Sequence, residues 1–520
     1  MPDLLTMTHH GGQPKDKTEV LYNSRFDYLF PEAARDEKSL VDATNAVANL
    51  KALADVMADP GQPADPGTVL DSAIPAAMTY LGQFIDHDIT ARTDRDEGQF
   101  VIGGDGPSAP IDPNLVVATL RNGRRPTLDL DSVFADGPGL SPNATSVAEK
   151  VRGIGLYYER RLRLRRTGRT VDLRRVPVPP ETTGGDTVHA AVIADARNDE
   201  NIMISQLHAA FHALYNRVFR RLSAPLYDTP EKKHVRARQL VRWAFQYVVV
   251  HEYLREVCDP SVAMDIVANG PRFLGPASSR AGTFMPLEFS VAGFRFAHSM
   301  IRPSYRLNAS TPAPEPINEL LGFSEKARFF DTSLSPVELK PEFRIDWDFF
   351  VRGGDMLQQA RRLDPRIAQG LFALPFGGSD QVLRSLARRN LLRSFLLSIP
   401  TGQTMARCFG IVPLTPAEMK TDPDLAPVLS QGQLDTRTPL WFYVLQEAKV
   451  QQDGQRLGEV GSRIVAETLY SLVVNDPGAY IFHRHDPAVT PTGIGVPAGP
   501  GAGGTIATLS DFLERANVHS

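Results

Sequence analysis

A polar pattern interrupts the apolar segment at residues 82–88, GQFIDHD. On a helix, Gln83, Asp86 and His87 occupy positions i, i+3 and i+4 and share one face. Such a triple is costly to bury unless its members have partners. An imidazole gives a site the chemistry of an acid, a base or a metal ligand. A helix N-terminal turn, or a core histidine with its hydrogen bonds satisfied, would produce the same pattern.

Two further segments carry reactive side chains. Arg197 and Glu200 stand at i and i+3 in DARNDEN (195–201), where a simple surface ion pair would also fit. His298 lies in the apolar segment FRFAHSMI (294–301), where a core histidine is the usual explanation. Each pattern is weak by itself, so the interpretation depends on the set.

Several common catalytic motifs are absent from the sequence. His251 and Glu252 begin like a zinc protease motif, but residue 255 is arginine, so the second histidine is missing. The sequence has no phosphate-binding P-loop and no GxGxxG, and no GxSxG stands between a strand and a helix. Phosphoryl transfer, nicotinamide chemistry and simple serine hydrolysis therefore lack support. We interpret His208, His212 and His251 as structural.

Composition narrows the class of protein. Of 520 residues, 42% are hydrophobic and 22% charged, which supports a sizeable core and excludes wholesale disorder. A net charge of −4 argues against a nucleic-acid binder, so the Arg-rich segment 157–175 is interpreted as a solvated face. Two cysteines, Cys258 and Cys408, exclude a disulfide scaffold and a cysteine-rich metal cluster.

The elements that must position these residues are mostly helices. Apolar spacing predicts helices at 38–58, 75–89, 199–222, 229–257, 380–399 and 457–475, and strand signals are few and short. The fold class is therefore mainly α: one large helical domain with few short strands and long loops. We expect a polar N-terminal arm at 1–35, the domain at 36–485, and at 486–520 a Gly/Pro-rich linker with a small helix near Thr508.

Neither a secretory signal nor a membrane span is predicted. The N-terminus lacks a basic segment followed by an apolar one, and no run approaches 18 apolar residues. The expectation is a cytoplasmic protein, or one exported by a route without an N-terminal signal.

Taken together and in order, the motifs resemble those of the animal-type haem peroxidases, the peroxidase–cyclooxygenase superfamily, in a bacterial-type version. The resemblance spans about residues 20–480. It rests on GQFIDHD (82–88), LDLDSVF (128–134), DARNDEN with LHAAFHALYNRV (195–218), ARQLVRWAFQYVVVHEYL (237–254), FRFAHSMIRP (294–303) and LARRNLLR (386–393).

The resemblance implies roles on the two sides of a haem. His87 matches the distal acid–base histidine, Arg197 the distal arginine that polarises the O–O bond, and Gln83 the distal glutamine near the iron. His298 matches the proximal iron ligand. The remaining proximal residues are Asn390, which matches the asparagine that supports this ligand, and Arg295, which matches an arginine beside a haem propionate.

The resemblance also implies that haem b is held covalently. Asp86 and Glu200 match the carboxylates that form ester links to haem methyl groups. Residue 201 is asparagine rather than methionine, so the third, sulfonium-type link of one member group is missing. Activity towards chloride, which goes with that link, becomes doubtful.

A calcium site is implied next to the distal histidine. Asp88 matches a ligand in the family, with Thr127, Asp129 and Asp131 as the others, and oxygen donors of this kind suit Ca²⁺. Arg125 stands where the family often has threonine, so the ligand from that position is left open and could be a backbone carbonyl. A solvated acidic turn is the alternative.

The activity implied is a peroxidase that uses H₂O₂, via a ferryl intermediate, to oxidise small organic donors, halides or thiocyanate. The cyclooxygenase pattern places tyrosine three residues before the proximal histidine, where this chain has Arg295. A fatty-acid dioxygenase using another tyrosine, and a haem-binding adhesion or interaction protein with little turnover, are the alternatives. The donor and the oligomeric state are not indicated.

Overall fold

The structure is a computed structural model. It describes residues 23–60, 70–91, 98–134, 172–178, 188–191, 193–276, 284–311, 313–334, 337–352, 354–375, 377–497 and 504–518. Residues 1–22 of the predicted arm, 157–171 of the Arg-rich segment and 498–503 of the predicted linker lie outside the described residues.

Helices dominate the described chain, which confirms the predicted fold class. The α-helices are α1 Pro31–Arg35, α2 Ala46–Val56, α3 Ala77–Ile89, α4 Pro113–Thr119, α5 Asp131–Phe134, α6 Ile202–Arg221, α7 Pro230–Val248, α8 Leu254–Val257, α9 Pro260–Asn269, α10 Ile317–Leu320, α11 Gln381–Arg384, α12 Leu386–Leu396, α13 Gly402–Phe409, α14 Pro416–Met419, α15 Ala426–Gln431, α16 Leu440–Gln452, α17 Glu459–Val474 and α18 Leu509–Ala516.

The strands are short and form small sheets at the margins. They are β1 Ser24–Asp27, β2 Asp71–Pro75, β3 Arg121–Asn122, β4 Arg175–Val178, β5 Val188–Ala191, β6 Met285–Pro286, β7 Ser304–Tyr305, β8 Glu315–Pro316, β9 Phe330–Asp331, β10 Glu338–Leu339, β11 Gln359–Arg361, β12 Val489–Thr490, β13 Gly493–Val496 and β14 Gly504–Ile506. β1 pairs antiparallel with β3 and parallel with β6, and β2 pairs antiparallel with β11.

Aromatic packing joins the helices at the centre of the core. The ring of Phe84 on α3 stacks on Phe211 of α6 at a centroid distance of 4.3 Å. Phe211 also contacts Phe245 of α7 at 5.6 Å and Phe512 of α18 at 4.5 Å. Buried aromatic pairs of this kind stabilise by about 0.5–1.5 kcal/mol beyond the burial of their area. The helix that carries residues 82–88 is therefore packed on α6 and α7, and α6 in turn packs on α18.

Helix α3 ends where its chemistry is concentrated. Thr90 leaves the helix with extended backbone angles, and its N–H donates to the carbonyl of Asp86 at 2.8 Å. Gly82, one turn earlier, lies against the Tyr253 hydroxyl so closely that a Cβ atom would collide with it. Tyr253 ends a π-helical turn, Val249–Tyr253, that interrupts the helix predicted at 229–257 between α7 and α8. Such turns are frequent at functional sites.

Both ends of the described chain are more ordered than the sequence indicates. In the expected N-terminal arm, Phe26 and Tyr28 are buried, and the Tyr28 hydroxyl donates to the carbonyl of Leu397 at 2.6 Å. Within the expected linker, β12, β13 and β14 form an antiparallel sheet. The final helix starts at Thr508 with a capping box to Asp511, as its sequence predicts. Backbone hydrogen bonds between these three strands order the described part of the Gly/Pro-rich segment. Amino-acid composition alone does not reveal such pairing.

Across the described residues, every helix falls short of the length or apolar character that crossing a bilayer requires.

Candidate functional site

An apolar pocket lies between α3, the segment around residue 200 and the 3₁₀ turn Gly293–His298. The atom-free space in and around it amounts to about 800 Å³, part of which is open to solvent. Most of the lining is apolar, with a few polar groups converging on it. The polar and charged lining residues are Thr79, Gln83, Asp86, His87, Glu200, Asn201, Arg295 and His298. The structure thus brings together seven of the residues predicted or discussed from the sequence.

His87 is completely buried at the end of α3. Its Nδ1 atom lies 2.9 Å from Oδ1 of Asn198. An amide oxygen only accepts hydrogen bonds, so Nδ1 carries the proton and Nε2 keeps its lone pair. Burial, with the Arg197 charge adding to it, lowers the pKa of His87 to about 4. The imidazole is therefore neutral near pH 7 and able to accept a proton.

Arg197 lies beside His87 but is not among the residues that line the pocket. Its Nη2 atom donates to the carbonyls of His87 and Thr90, each at 2.8 Å, and to Asp195 Oδ2 at 2.8 Å. Asp195 also binds Arg124 and is completely buried. Burial alone would raise the pKa of Asp195, but the Arg197 and Arg124 guanidinium groups hold it far below its usual range. This buried cluster locks the end of α3.

The two carboxylates predicted to bind haem covalently both line the pocket. Asp86 accepts a hydrogen bond from the Thr90 hydroxyl at 2.8 Å. Glu200 accepts one from the Gln83 amide nitrogen. Asn201 donates to the Gln83 amide oxygen at 3.0 Å, so the amide is held from both ends. Gln83 is thereby oriented within the pocket.

His298 lines the same pocket and ends the 3₁₀ turn Gly293–His298. The amide of Asn390 on α12 lies 2.8 Å from His298 Nδ1, with its nitrogen towards the ring. A half-turn of this amide places its oxygen there, which accepts an Nδ1–H and frees the lone pair of Nε2 for a metal. Arg295 lines the pocket, and its Nε atom donates to the carbonyl of Ser290 at 3.1 Å.

These residues fit haem. The apolar lining suits the faces of a porphyrin, and His298 offers a nitrogen ligand that Asn390 supports. Arg295 supplies a cation for a propionate. Asp86 and Glu200 supply the carboxylates for ester links. Of the predicted haem-site residues, only Arg197 and Asn390 stand behind the lining rather than in it.

A cluster of acidic side chains adjoins His87 along the chain. Asp88, Asp129 and Asp131 are buried and bring carboxylate oxygens within 4.8 Å of one another. Burial, with the Asp129 charge adding to it, raises the pKa of Asp88 to about 7. Within the described residues, Thr127 Oγ1, Asp129 Oδ1 and both Asp131 carboxylate oxygens are buried and make no hydrogen bond. Three carboxylates with oxygens this close together are a donor set that suits a divalent cation.

The sequence patterns did not single out four residues of the site. Asn198 contacts His87, Asp195 binds Arg197, Asn201 holds Gln83, and Thr90 binds Asp86. Three of them lie inside DARNDEN, the motif that was recognised for Arg197 and Glu200. Seven consecutive residues of which six are polar, directly before a long helix, were the sequence feature that could have indicated these contacts.

An apolar pocket lined by two imidazoles from separate elements, inside a mainly helical fold, is typical of a haem protein. The sequence profile described as animal haem peroxidase matches residues 145–419, which include Arg197, His298 and Asn390. The chain belongs to the animal haem peroxidase family. Membership implies haem as cofactor.

Relatives agree with this assignment. A peroxidase-like protein of Margaritifera margaritifera is 29% identical over 278 residues, which are 47% of this chain and 33% of that protein. The chain thus spans about a third of the length of this relative. Peroxidase A of Dictyostelium discoideum has the same fold, with a TM-score of 0.61 and 16% identity over 95% of this chain and 96% of that one. The fatty acid alpha-dioxygenase of Oryza sativa gives 0.57 and 14%, over 99% and 83%.

Replacing Asp195 with asparagine tests the buried charge cluster. Asp195→Asn removes the carboxylate that pairs with the buried Arg197 and Arg124 and should lower the free energy of unfolding at pH 7 by about 3–5 kcal/mol. Because the folded pKa is depressed, the stabilisation is present above the unfolded pKa of 3.8 and is lost as the pH falls below it. Urea unfolding at pH 7, 5 and 3.5 measures this.

The matched control is Asp453→Asn. Asp453 forms a 3.0 Å ion pair with Arg362, but its side chain is 77% exposed. The substitution Asp453→Asn should therefore change the free energy of unfolding by less than about 1 kcal/mol. Equal losses in the two variants would contradict the role assigned to Asp195.

Proposed function

We propose that this protein is a haem peroxidase that uses H₂O₂ to oxidise small organic donors, halides or thiocyanate. One observation carries the proposal: His87 and His298 line the same apolar pocket, and each has its Nδ1 atom beside a buried asparagine. This leaves one imidazole to bind iron and the other to exchange protons. When bound, the haem iron supplies the redox centre at which the peroxide bond is broken.

His87 acts as the acid–base group. Its Nε2 lone pair takes the proton from the peroxide oxygen that approaches the iron, and the same atom returns the proton to the leaving oxygen. Proton transfer by a positioned side chain typically contributes about 10²–10⁴-fold. The low pKa of His87 keeps Nε2 unprotonated before peroxide arrives.

Arg197 is proposed to act on the pocket through its position and its charge. The predicted role, polarising the O–O bond, needs the guanidinium to reach the peroxide and stays a prediction. Its contacts with the carbonyls of His87 and Thr90 hold the end of α3, and its charge disfavours protonation of His87. Both effects maintain a neutral base.

The proximal side supports a peroxidase over a fatty-acid dioxygenase. The position three residues before His298 is Arg295, which cannot form a phenoxyl radical. Tyr80 does line the pocket, and the dioxygenase fold is similar, so a dioxygenase that uses Tyr80 is the second candidate. A haem-binding interaction protein would not need a neutral buried imidazole such as His87.

Steady-state assays of the haem-loaded protein separate these candidates. We expect rapid oxidation of a chromogenic phenol with H₂O₂, and no oxygen uptake with linoleate. Oxygen uptake with linoleate but no phenol oxidation would identify a dioxygenase. No turnover of either substrate in a haem-replete sample would leave the binding protein.

Replacing His87 tests the base directly. His87→Leu should slow the reaction with H₂O₂ by about 10²–10⁴-fold without changing haem content, measured by stopped-flow absorption. In the wild type this rate should stay constant as the pH is lowered to about 5 and fall near pH 4, because protonation of Nε2 removes the base. His485→Leu, at an exposed position, is the control. A wild-type rate in His87→Leu would refute the assignment.

The carboxylates Asp86 and Glu200 are proposed to bind haem b through ester links. The double variant Asp86→Asn, Glu200→Gln keeps the size and most hydrogen bonds of both side chains. Its haem should be extracted completely by acidic butanone, whereas wild-type haem, after incubation with peroxide, should stay with the protein. Extraction of haem from both proteins would show that no ester forms.

We propose that Asp88, Thr127, Asp129 and Asp131 bind Ca²⁺. A bound Ca²⁺ would offset two of the three buried negative charges, with Arg124 lying 3.6 Å from Asp131, and would fix Asp88, the neighbour of His87. Arg125 is half-exposed, and its Nη1 atom lies 3.7 Å from Asp129 Oδ2. Because arginine has no side-chain oxygen, this position can offer only its backbone carbonyl.

Calcium removal should therefore destabilise the fold. Free Ca²⁺ at about 100 times its dissociation constant stabilises by about 2.7 kcal/mol, which EGTA should abolish and added Ca²⁺ restore. Thermal unfolding with and without Ca²⁺ measures this, and Asp131→Asn should lose most of the response. An identical melting temperature of the wild type in EGTA and in Ca²⁺ would exclude the site.

A further inference from the structure

A chain of buried polar side chains runs from His87 into the core. Asn198 Oδ1 lies 2.9 Å from His87 Nδ1, and Asn198 Nδ2 lies 2.9 Å from Nδ1 of His208. Nε2 of His208 lies 3.0 Å from Nε2 of His212, one turn further along α6. All four side chains are at most 1% exposed. Two histidines interpreted from the sequence as structural are thus connected to the pocket.

The hydrogen bonds in this chain must all point the same way. The Asn198 nitrogen donates to His208 Nδ1, so that atom has no proton and His208 carries its proton on Nε2. Nε2 then donates to His212. At the other end, the Asn198 oxygen accepts, so His87 donates from Nδ1. In this direction the lone pair of His87 is on Nε2.

Reversing the chain would remove the base. If His208 carried its proton on Nδ1, the Asn198 amide would turn its oxygen to His208 and its nitrogen to His87. His87 Nδ1 would then have to accept, and its proton would move to Nε2. A pocket with a protonated Nε2 offers a donor where the reaction needs an acceptor. The direction of the chain therefore decides the chemistry of His87.

The surroundings of His208 keep its ring neutral. Its ring packs against Phe84 at a centroid distance of 5.9 Å and against His212 at 4.7 Å. Burial, with the neighbouring His212 adding to it, lowers the pKa of His208 well below its usual value. His208 is therefore neutral near pH 7 and has one nitrogen that can accept from Asn198.

We propose that Asn198, His208 and His212 are positioning residues that hold the proton of His87 on Nδ1 and so keep Nε2 as the base of the pocket. The proposal rests on the proposed function, because it assumes that His87 is the base. It assigns His208 a role in the reaction although His208 does not line the pocket.

Two variants of His208 test the proposal. His208→Leu removes the acceptor for Asn198, so we expect the amide to turn its nitrogen to His87 and the His87 tautomer with its proton on Nε2 to predominate. The rate with H₂O₂ should fall about 10- to 100-fold with haem content unchanged. His208→Gln, whose amide can accept from Asn198 and donate to His212, should restore at least half of the wild-type rate.

The matched control is His234→Leu. His234 is also a buried histidine, with its Nδ1 atom 2.6 Å from the Tyr215 hydroxyl, but it is not part of the chain. Its removal should leave the rate with peroxide within about twofold. If His208→Leu and His208→Gln react as fast as the wild type, or both are equally slow, the positioning role is refuted.

Neutron diffraction from crystals of the haem-loaded wild type in D₂O gives a test that needs no variant. Deuterium on Nδ1 of His87 and on Nε2 of His208 is the expected result. Deuterium on Nε2 of His87 would overturn the proposal even if His208→Leu fails to fold. A wild type that does not react with peroxide would instead refute the proposed function.

Discussion

The organisation of this protein depends on one constraint, a completely buried imidazole that has to stay neutral. A buried histidine needs a partner for its N–H, and a charged partner would raise its pKa. Asn198 meets both requirements because an amide oxygen accepts without carrying charge. The positive charge of Arg197 lies on the other side and lowers the pKa further. The surrounding helices serve to keep these three residues together.

Charge is placed around the pocket in separate compartments. Asp195 neutralises Arg197 and Arg124 behind α3, so strong charges stand close to His87 without entering the pocket. Asp88 follows His87 on α3, and it belongs to the acidic cluster with Asp129 and Asp131. Segregation of this kind lets one helix terminus carry both a neutral imidazole and a buried carboxylate.

Sequence patterns gave a large part of the fold and of the pocket. The helical character, the positions of α2, α3, α6 and α17 and the capping box at Thr508 followed from apolar spacing and turn chemistry. The ordered ends and the π-turn at Val249–Tyr253 did not. The ends are ordered by hydrogen bonds between residues far apart in the chain, and the π-turn arises from a one-residue shift of the hydrogen bonds within a helix. The local spacing of apolar residues predicts neither feature.

The sequence by itself determined which reactive groups exist: the histidines His87 and His298, the carboxylates Asp86 and Glu200, and the acidic residues Asp88, Asp129 and Asp131. Only the tertiary structure decided which atoms they present. From the sequence, His208 is interpreted as an ordinary core residue, whereas the structure places Asn198 between it and His87. From the sequence, Arg197 is expected to act in the pocket, whereas the structure shows it bonded to Asp195 and to the end of α3. Residue type fixes the available donors and acceptors, but the direction of a hydrogen bond depends on neighbours that folding brings together.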